Sequence, residues 1–238
     1  VRLNLRNCGD TEHLAPTLYH AGMSSDLDAV IRELVEKDNL PSIFLAGFSM
    51  GGNMTLKLAG EEPGRLPRQL VAVCAVSPSI DLSLCADAIE QRSNWVYKRS
   101  FIQSLHRRIR QKQKLFPDLY DTRDLRLVRT IRAFDERYTA IHGGYSDADD
   151  YYSHASALPF LPRIAIPSLI VHAIDDPFVP YEPLRDPAIK SNPNIVLLSP
   201  EHGGHVGFVG VETQGEDRFW VENRIVEFCQ LVRELLAV

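Results

Sequence analysis

Four short, uninterrupted apolar runs constrain the fold of this chain more than any other feature. They are "SIFLAGF" (42–48), "QLVAVCAVSP" (69–78), "SLIVHAI" (168–174) and "NIVLLSP" (194–200). Each is too short for a core helix and lacks the apolar–polar alternation of a half-exposed strand. This is the pattern of strands buried on both faces. Helical spacing fills the gaps. In "SSDLDAVIRELVEKD" (24–38), Leu27, Val30, Ile31 and Leu34 recur on one face, with Ser25 as a candidate cap and Asp28 three residues later. Residues 50–59 read as a second helix, and 216–237 as an amphipathic one. Buried strands alternating with helices predict an α/β fold with a mostly parallel sheet and helices on both faces. "VRLNLRNCGD" at the start alternates and then turns, which predicts a strand followed by a loop.

From about Leu84 to Ala165 the pattern changes to helical, charged and aromatic-rich sequence with no buried strand. We read 85–165 as a helical cap inserted between sheet strands, and 1–84 with 166–238 as the core. A chain of 238 residues suits one such domain with an insertion.

The first strand–helix junction carries "GFSMG" (47–51), a G-x-S-x-G pattern. Placed after a strand and before a helix, it predicts a nucleophile elbow. Turning from strand to helix in about two residues forces Ser49 into a strained backbone. Side chains at the flanking positions are expected to collide with neighbouring backbone, hence glycine at 47 and 51. The following helix N-terminus offers the Met50 N–H to a developing oxyanion.

A serine hydroxyl needs a base, and the base needs an orienting acid. Asp175 and Asp176 follow the third apolar run in "LIVHAIDDPFVP"; His202 and His205 follow the fourth in "EHGGHVGFV". Both pairs fall past the C-terminal ends of predicted strands, where open α/β sheets build their sites. The D-x-x-V-P spacing favours Asp176, with Asp175 as second choice. The two glycines before His205 let its loop swing, and favour it over His202. A metal reading of H-x-x-H at 202 and 205 lacks a third ligand and a helix. His172, mid-strand, reads as a satisfied core histidine.

Together these stretches resemble the α/β-hydrolases, and more closely their YheT-like branch, the AB hydrolase type 4 esterases. The resemblance is carried by "GFSMGGNM", "FDERYTAIHGGYSDADDYYSHAS", "LPRIAIPSLIVHAIDDPFVP" and "GGHVGFV", spanning most of 44–209. The run containing Phe134, Asp135, Tyr138, Asp149, Asp150, Tyr151 and Tyr152 is the part most specific to that branch. The resemblance implies carboxylic-ester hydrolysis, on short- and medium-chain acyl esters or lipids, with Ser49 as nucleophile, His205 as base and Asp176 as acid. It implies no cofactor and no metal. It also implies further strands upstream of Val1, one of them followed by a loop with a second oxyanion donor, so the sequence given is expected to begin within the domain. Asn7 stands where family members have glycine.

Other readings belong to other chemistries. An acyltransferase would pass the acyl group to an alcohol instead of water. A serine peptidase would need a peptide-binding domain that is not visible. A non-catalytic binding protein of this fold would expect a broken Ser–His–Asp set. The net charge of −5 offers nothing to nucleic acid. No apolar run approaches the roughly 18 residues of a membrane span, and no signal peptide is read at the start. Cys8, Cys74, Cys85 and Cys229 form no CxxC or zinc spacing and read as small buried residues of a reducing compartment, the cytoplasm. The basic run 97–114 reads as the solvated face of a lid helix, with Phe101, Ile102, Leu105 and Ile109 as its apolar stripe. In "YSDADDYY", Asp147, Asp149 and Asp150 read as helix caps beside buried tyrosines rather than a calcium loop.

Overall fold

The computed structural model describes residues 1–213 and 215–237. In chain order its helices are α1 (Ser24–Glu36), α2 (Met50–Glu61), α3 (Leu82–Ile89), α4 (Trp95–Leu115), α5 (Ile131–Phe134), α6 (Ala140–Gly143), α7 (Ala148–Ala155), α8 (Pro187–Lys190) and α9 (Trp220–Leu236). Its strands are β1 (Ile43–Phe48), β2 (Leu70–Val76), β3 (Ser168–Val171) and β4 (Ile195–Leu198). They form one sheet in the order β1-β2-β3-β4, parallel throughout. All four apolar runs are therefore strands, and the α/β reading holds.

The register decides where the chain leaves the sheet. Phe48 pairs with Val76, Val76 with Val171, and Val171 with Leu198, so all four strands end at one level. Every loop that follows a strand emerges on that edge. Cys74 and Val76 share one face of β2 by the two-residue pleat and pack with Leu169, Val171, Val221 and Phe228 of the β3 and α9 layer. Val73 and Ala75 point the other way and are equally inaccessible, so both faces are covered. β1 is more open: Ala46 and Phe48 are exposed, and it has a partner on one side only among the described residues.

The strand expected at the start does not form. Residues 1–5 are irregular and mostly exposed, with a turn at Arg6 and Asn7. Alternation over five residues makes a strand only where a ladder partner supplies the hydrogen bonds, and none does so among the described residues. Asn7 adopts φ 62°, a left-handed conformation that glycine would enter freely and asparagine tolerates. Its Nδ2 donates to the Thr17 carbonyl at 2.7 Å, which ties the turn down. The Ser25 cap is also corrected. α1 begins at Ser24, behind Met23, with no side-chain cap. Ser24 instead donates to Glu61 at 2.8 Å, and Asp28 pairs with Arg32 one turn on.

The chain divides into two compact units, Ala21–Leu82 with Ser156–Val238, which holds the sheet, and Val1–His20 with Ser83–Ala155. The second is helical. Its core is Leu18, Ile109, Tyr120, Leu125, Val128, Phe134 and Tyr138, with Leu105 packed against them. The apolar stripe of α4 thus buries Ile102 and Ile109 but leaves Phe101 40% exposed. The basic run is not wholly solvated either. Lys112 is fully buried, donates to the carbonyls of Glu12 (3.0 Å) and Ala15, and is held below the usual lysine range by that burial.

Between α5 and α6 the backbone takes one π-helical segment, Asp135–Thr139. Tyr152 donates to Asp135 there at 2.7 Å. Asp147 accepts from the Asp150 N–H at 2.8 Å and so caps α7. Among the described residues no helix is long and apolar enough to cross a membrane.

Candidate active site

Ser49 is the residue between β1 and α2. Its backbone has φ 54° and ψ −119°, a region that costs a non-glycine residue of order 1–3 kcal/mol. Local hydrogen bonds hold it there. Its N–H donates to the Val76 carbonyl at 2.8 Å, and its carbonyl accepts from Asn53 at 3.1 Å. Asn53 is itself buried and bridges the Ala21 carbonyl and the Ala157 N–H. The strained turn is therefore pinned to the end of β2 and to the first turn of α2.

The two motif glycines are not equivalent. A Cβ on Gly47 would lie 2.3 Å from the Gly51 carbonyl oxygen and 2.5 Å from Thr55 Oγ1. A Cβ on Gly51 would meet nothing within 4 Å. The expected collision is real at position 47 and absent at 51. Gly52 is the second tight position, with Pro78 Cβ at 3.0 Å.

Asp175 and Asp176 leave the sheet after β3, and His202 and His205 after β4. The structure joins each aspartate to a different histidine. His205 Nε2 lies 2.9 Å from Ser49 Oγ, and its Nδ1 lies 2.8 Å from Asp176 Oδ2. A carboxylate only accepts, so Nδ1 carries the ring proton and Nε2 is left to accept from the serine hydroxyl. The Asp176 side chain is 0% exposed. Its other oxygen accepts from the N–H groups of Phe178 (2.9 Å) and Val179 (3.0 Å), so the carboxylate is fully engaged. Phe178 sets its edge against the His205 ring at 5.2 Å between centroids.

His202 stands apart, 88% exposed, with Nδ1 3.2 Å from Asp175 Oδ2. The H-x-x-H pair is thus split, and among the described residues no three metal-ligating side chains cluster. Met50 opens α2, and the helix leaves its N–H without an internal partner.

Sequence reasoning missed one supporting residue, Ser77, and the role of a second, His172, which is buried as expected but lies just past the end of β3 and is bonded through one ring nitrogen only. Ser77, buried at φ 45° after β2, donates its N–H to Val171 and accepts from Val206 N–H at 3.4 Å, next to His205. His172, fully buried, donates from Nε2 to the Val179 carbonyl at 3.0 Å and so braces the Asp176 loop, while its Nδ1 has no partner. Burial holds His172 below the usual histidine range, hence neutral. Nothing in the local pattern marks Ser77, whose partners Val171 and Val206 lie some hundred residues on, and the bond of His172 to Val179, seven residues away, depends on how the loop after β3 folds back.

The protein-family signature described as "alpha/beta hydrolase fold" matches residues 1–210. The similarity to YheT expected from the sequence is found: the chain is 34% identical to YheT of Escherichia coli (strain K12) over 96% of its own length and 66% of that protein's. It is 30% identical to human phospholipase ABHD3, over 88% of the chain and 51% of the relative. It is 29% identical to a monoacylglycerol lipase of Saccharomyces cerevisiae, over 99% of the chain and 53% of the relative. The chain thus spans about half to two thirds of these relatives' length. Among solved structures, an α/β-fold hydrolase from Bacillus anthracis superposes with TM-score 0.55 at 15% identity, covering 96% of this chain and 80% of that one. The Pyrococcus furiosus esterase Pf2001 does so with TM-score 0.52 at 14% identity, covering 91% and 64%. Both bear on the fold alone.

Proposed function

The chain belongs to the α/β-hydrolase fold family, and from that premise we propose that it is a serine hydrolase of carboxylic esters. The observation that carries this is the continuous array Ser49 Oγ, His205 Nε2, His205 Nδ1 and Asp176 Oδ2, with steps of 2.9 and 2.8 Å. Ser49 attacks the ester carbonyl while its proton passes to His205 Nε2. Asp176 stabilises the imidazolium so formed. The oxyanion faces the Met50 N–H at the positive end of α2. Collapse of the intermediate expels the alcohol, which takes its proton from His205 and leaves an acyl-serine. Water, deprotonated by the now neutral His205, then releases the acid and restores Ser49. Each step uses side-chain and backbone groups of this chain.

The substrate class is the ester of a short- or medium-chain acid, or a glycerol or phospholipid ester. The yeast and human relatives, named for lipid-ester cleavage, support that class. An intact Ser–His–Asp array speaks against the non-catalytic reading, which expects one of the three groups to be displaced.

Fluorophosphonate labelling tests the proposal. The protein is expected to be labelled covalently, and Ser49→Ala is expected not to be. An unlabelled wild type, or a Ser49→Ala variant labelled as well as wild type, would sink it.

A further inference from the structure

Asp175 makes contacts that a spare acid would not make. Its Oδ1 accepts from two successive backbone groups, Gly203 N–H at 3.0 Å and Gly204 N–H at 2.8 Å. Its Oδ2 faces His202 Nδ1 at 3.2 Å. These three donors are the residues immediately preceding His205. The Gly204 N–H, then His202 and the Gly203 N–H, hold the Asp175 carboxyl below the usual carboxylate range.

The loop that Asp175 grips is locally strained. Gly204 has φ 54° and Val206 has φ 57°; the second is a conformation a β-branched residue rarely enters. Beyond it, Gly207 and Phe208 both donate to the Gly203 carbonyl, at 3.2 and 3.3 Å. The peptide unit joining Gly203 and Gly204 is thus held from both sides: its N–H, on Gly204, by Asp175, and its carbonyl, on Gly203, by the residues after His205. His205 sits on a short arch whose leading foot is fixed to the residue next to its own carboxylate partner.

We propose that Asp175 is a positioning residue, an acceptor clamp that fixes the histidine loop so that His205 spans Asp176 and Ser49. The two adjacent aspartates then have different requirements. Asp176 must be charged, because it stabilises an imidazolium. Asp175 must present an oxygen to two N–H groups, and its charge is dispensable. Asparagine separates these requirements, since it keeps the acceptor and loses the charge.

The inference rests on the serine-hydrolase reading for its kinetic consequence, but not for its structural one, so two readouts are needed. The first is hydrolysis of p-nitrophenyl butyrate by the full chain carrying Asp175→Ala, Asp175→Asn or Asp176→Asn. Asp175→Ala is expected to lower kcat about 10- to 100-fold with little change in KM, as misplacement of a catalytic group does. Asp175→Asn is expected to restore kcat to within about threefold of wild type, whereas Asp176→Asn remains about 10⁴-fold down.

The second readout is amide hydrogen exchange of the peptide spanning residues 201–208. Asp175→Ala is expected to exchange at least about tenfold faster there, and Asp175→Asn at close to the wild-type rate. Asp175→Ser, whose hydroxyl is too short for the clamp, carries the same expectations as alanine should the alanine variant fold poorly. Unchanged kcat and unchanged exchange in Asp175→Ala would overturn the clamp. So would an asparagine variant as impaired as alanine. A wild type that neither hydrolyses the ester nor takes up a fluorophosphonate defeats the serine-hydrolase reading instead, and exchange still decides the clamp.

Discussion

His205 Nε2 stands 2.9 Å from Ser49 Oγ, although 156 positions separate them in the chain. Two different strands deliver them. β1 ends directly into Ser49, and the loop after β4 carries His205. If this contact transfers the serine proton, the two side chains act as a unit. Ser49→Ala and His205→Ala are each expected to cut ester hydrolysis by at least about 10⁴-fold, and the double variant is expected to lose little more than the worse single one. Steady-state kinetics on the four proteins checks this; additive losses would show that the residues work independently.

Asp176→Asn should reduce kcat by about 10⁴-fold while the fold is retained. The side chain is 0% exposed and holds Phe178 N, Val179 N and His205 Nδ1. The amide keeps an acceptor for the loop but cannot stabilise the imidazolium, and its NH₂ favours the wrong tautomer of His205. A variant that unfolds with wild-type cooperativity but keeps wild-type kcat would remove Asp176 from the mechanism.

The two glycines of G-x-S-x-G should respond oppositely to a methyl group. Gly47→Ala pushes Cβ to 2.3 Å from the Gly51 carbonyl oxygen, a backbone atom that cannot step aside. A loss of about 2 kcal/mol or more is expected. Gly51→Ala meets nothing within 4 Å and lies in α2, so it should be neutral or stabilise by up to about 1 kcal/mol. Urea denaturation of both variants measures the difference; equal losses would contradict the geometry at this elbow.

Burial raises the Asp135 carboxyl to about 6, against the hydrogen bonds from Thr139 and Tyr152 and the nearby Arg132 charge, which lower it. The folded protein therefore binds this proton more tightly than the unfolded chain, where aspartate titrates near about 4. The stability it contributes is complete below about pH 4 and is lost as pH rises through about 6, on the order of 2–3 kcal/mol across that window. Asp135→Asn keeps an oxygen for Tyr152 and cannot ionise. Relative to wild type it should gain stability between pH 4.5 and pH 7. Denaturation at the two pH values tests this, and a wild-type-to-variant difference that does not change with pH would exclude a raised Asp135.

Much of this molecule is legible without coordinates, because the signals are local. The four buried strands announce themselves by uninterrupted apolar runs, and the elbow by glycines beside one serine. Both depend on backbone conformation and burial within a few residues. The loop spacings also favour Asp176 and His205, and the structure sets His205 beside Ser49 and Asp176 beside His205. Local pattern fails where a partner is needed. Residues 1–5 alternate like a strand but have no ladder partner among the described residues, and Ser25 resembles a cap yet α1 starts before it.

Other features belong to tertiary structure alone. Cys74 and Cys229 form no sequence motif, yet Cys229 of α9 packs against the cluster that holds Cys74 of β2; the Cys229 thiol and burial push the Cys74 thiol up, and Cys74 draws the Cys229 thiol down. Lys112 looks solvated in a basic run, but the carbonyls of Glu12 and Ala15, some hundred residues earlier, receive it. Asp175 and Asp176 are neighbours of identical type, and only the register that ends all four strands at one level gives each a different histidine. Local sequence alone specifies the four buried strands, the elbow and the chain order of serine, aspartate and histidine. The tertiary structure decided which side chains meet, because a hydrogen bond requires atoms placed to within a few tenths of an ångström, and strand register and loop strain set those positions.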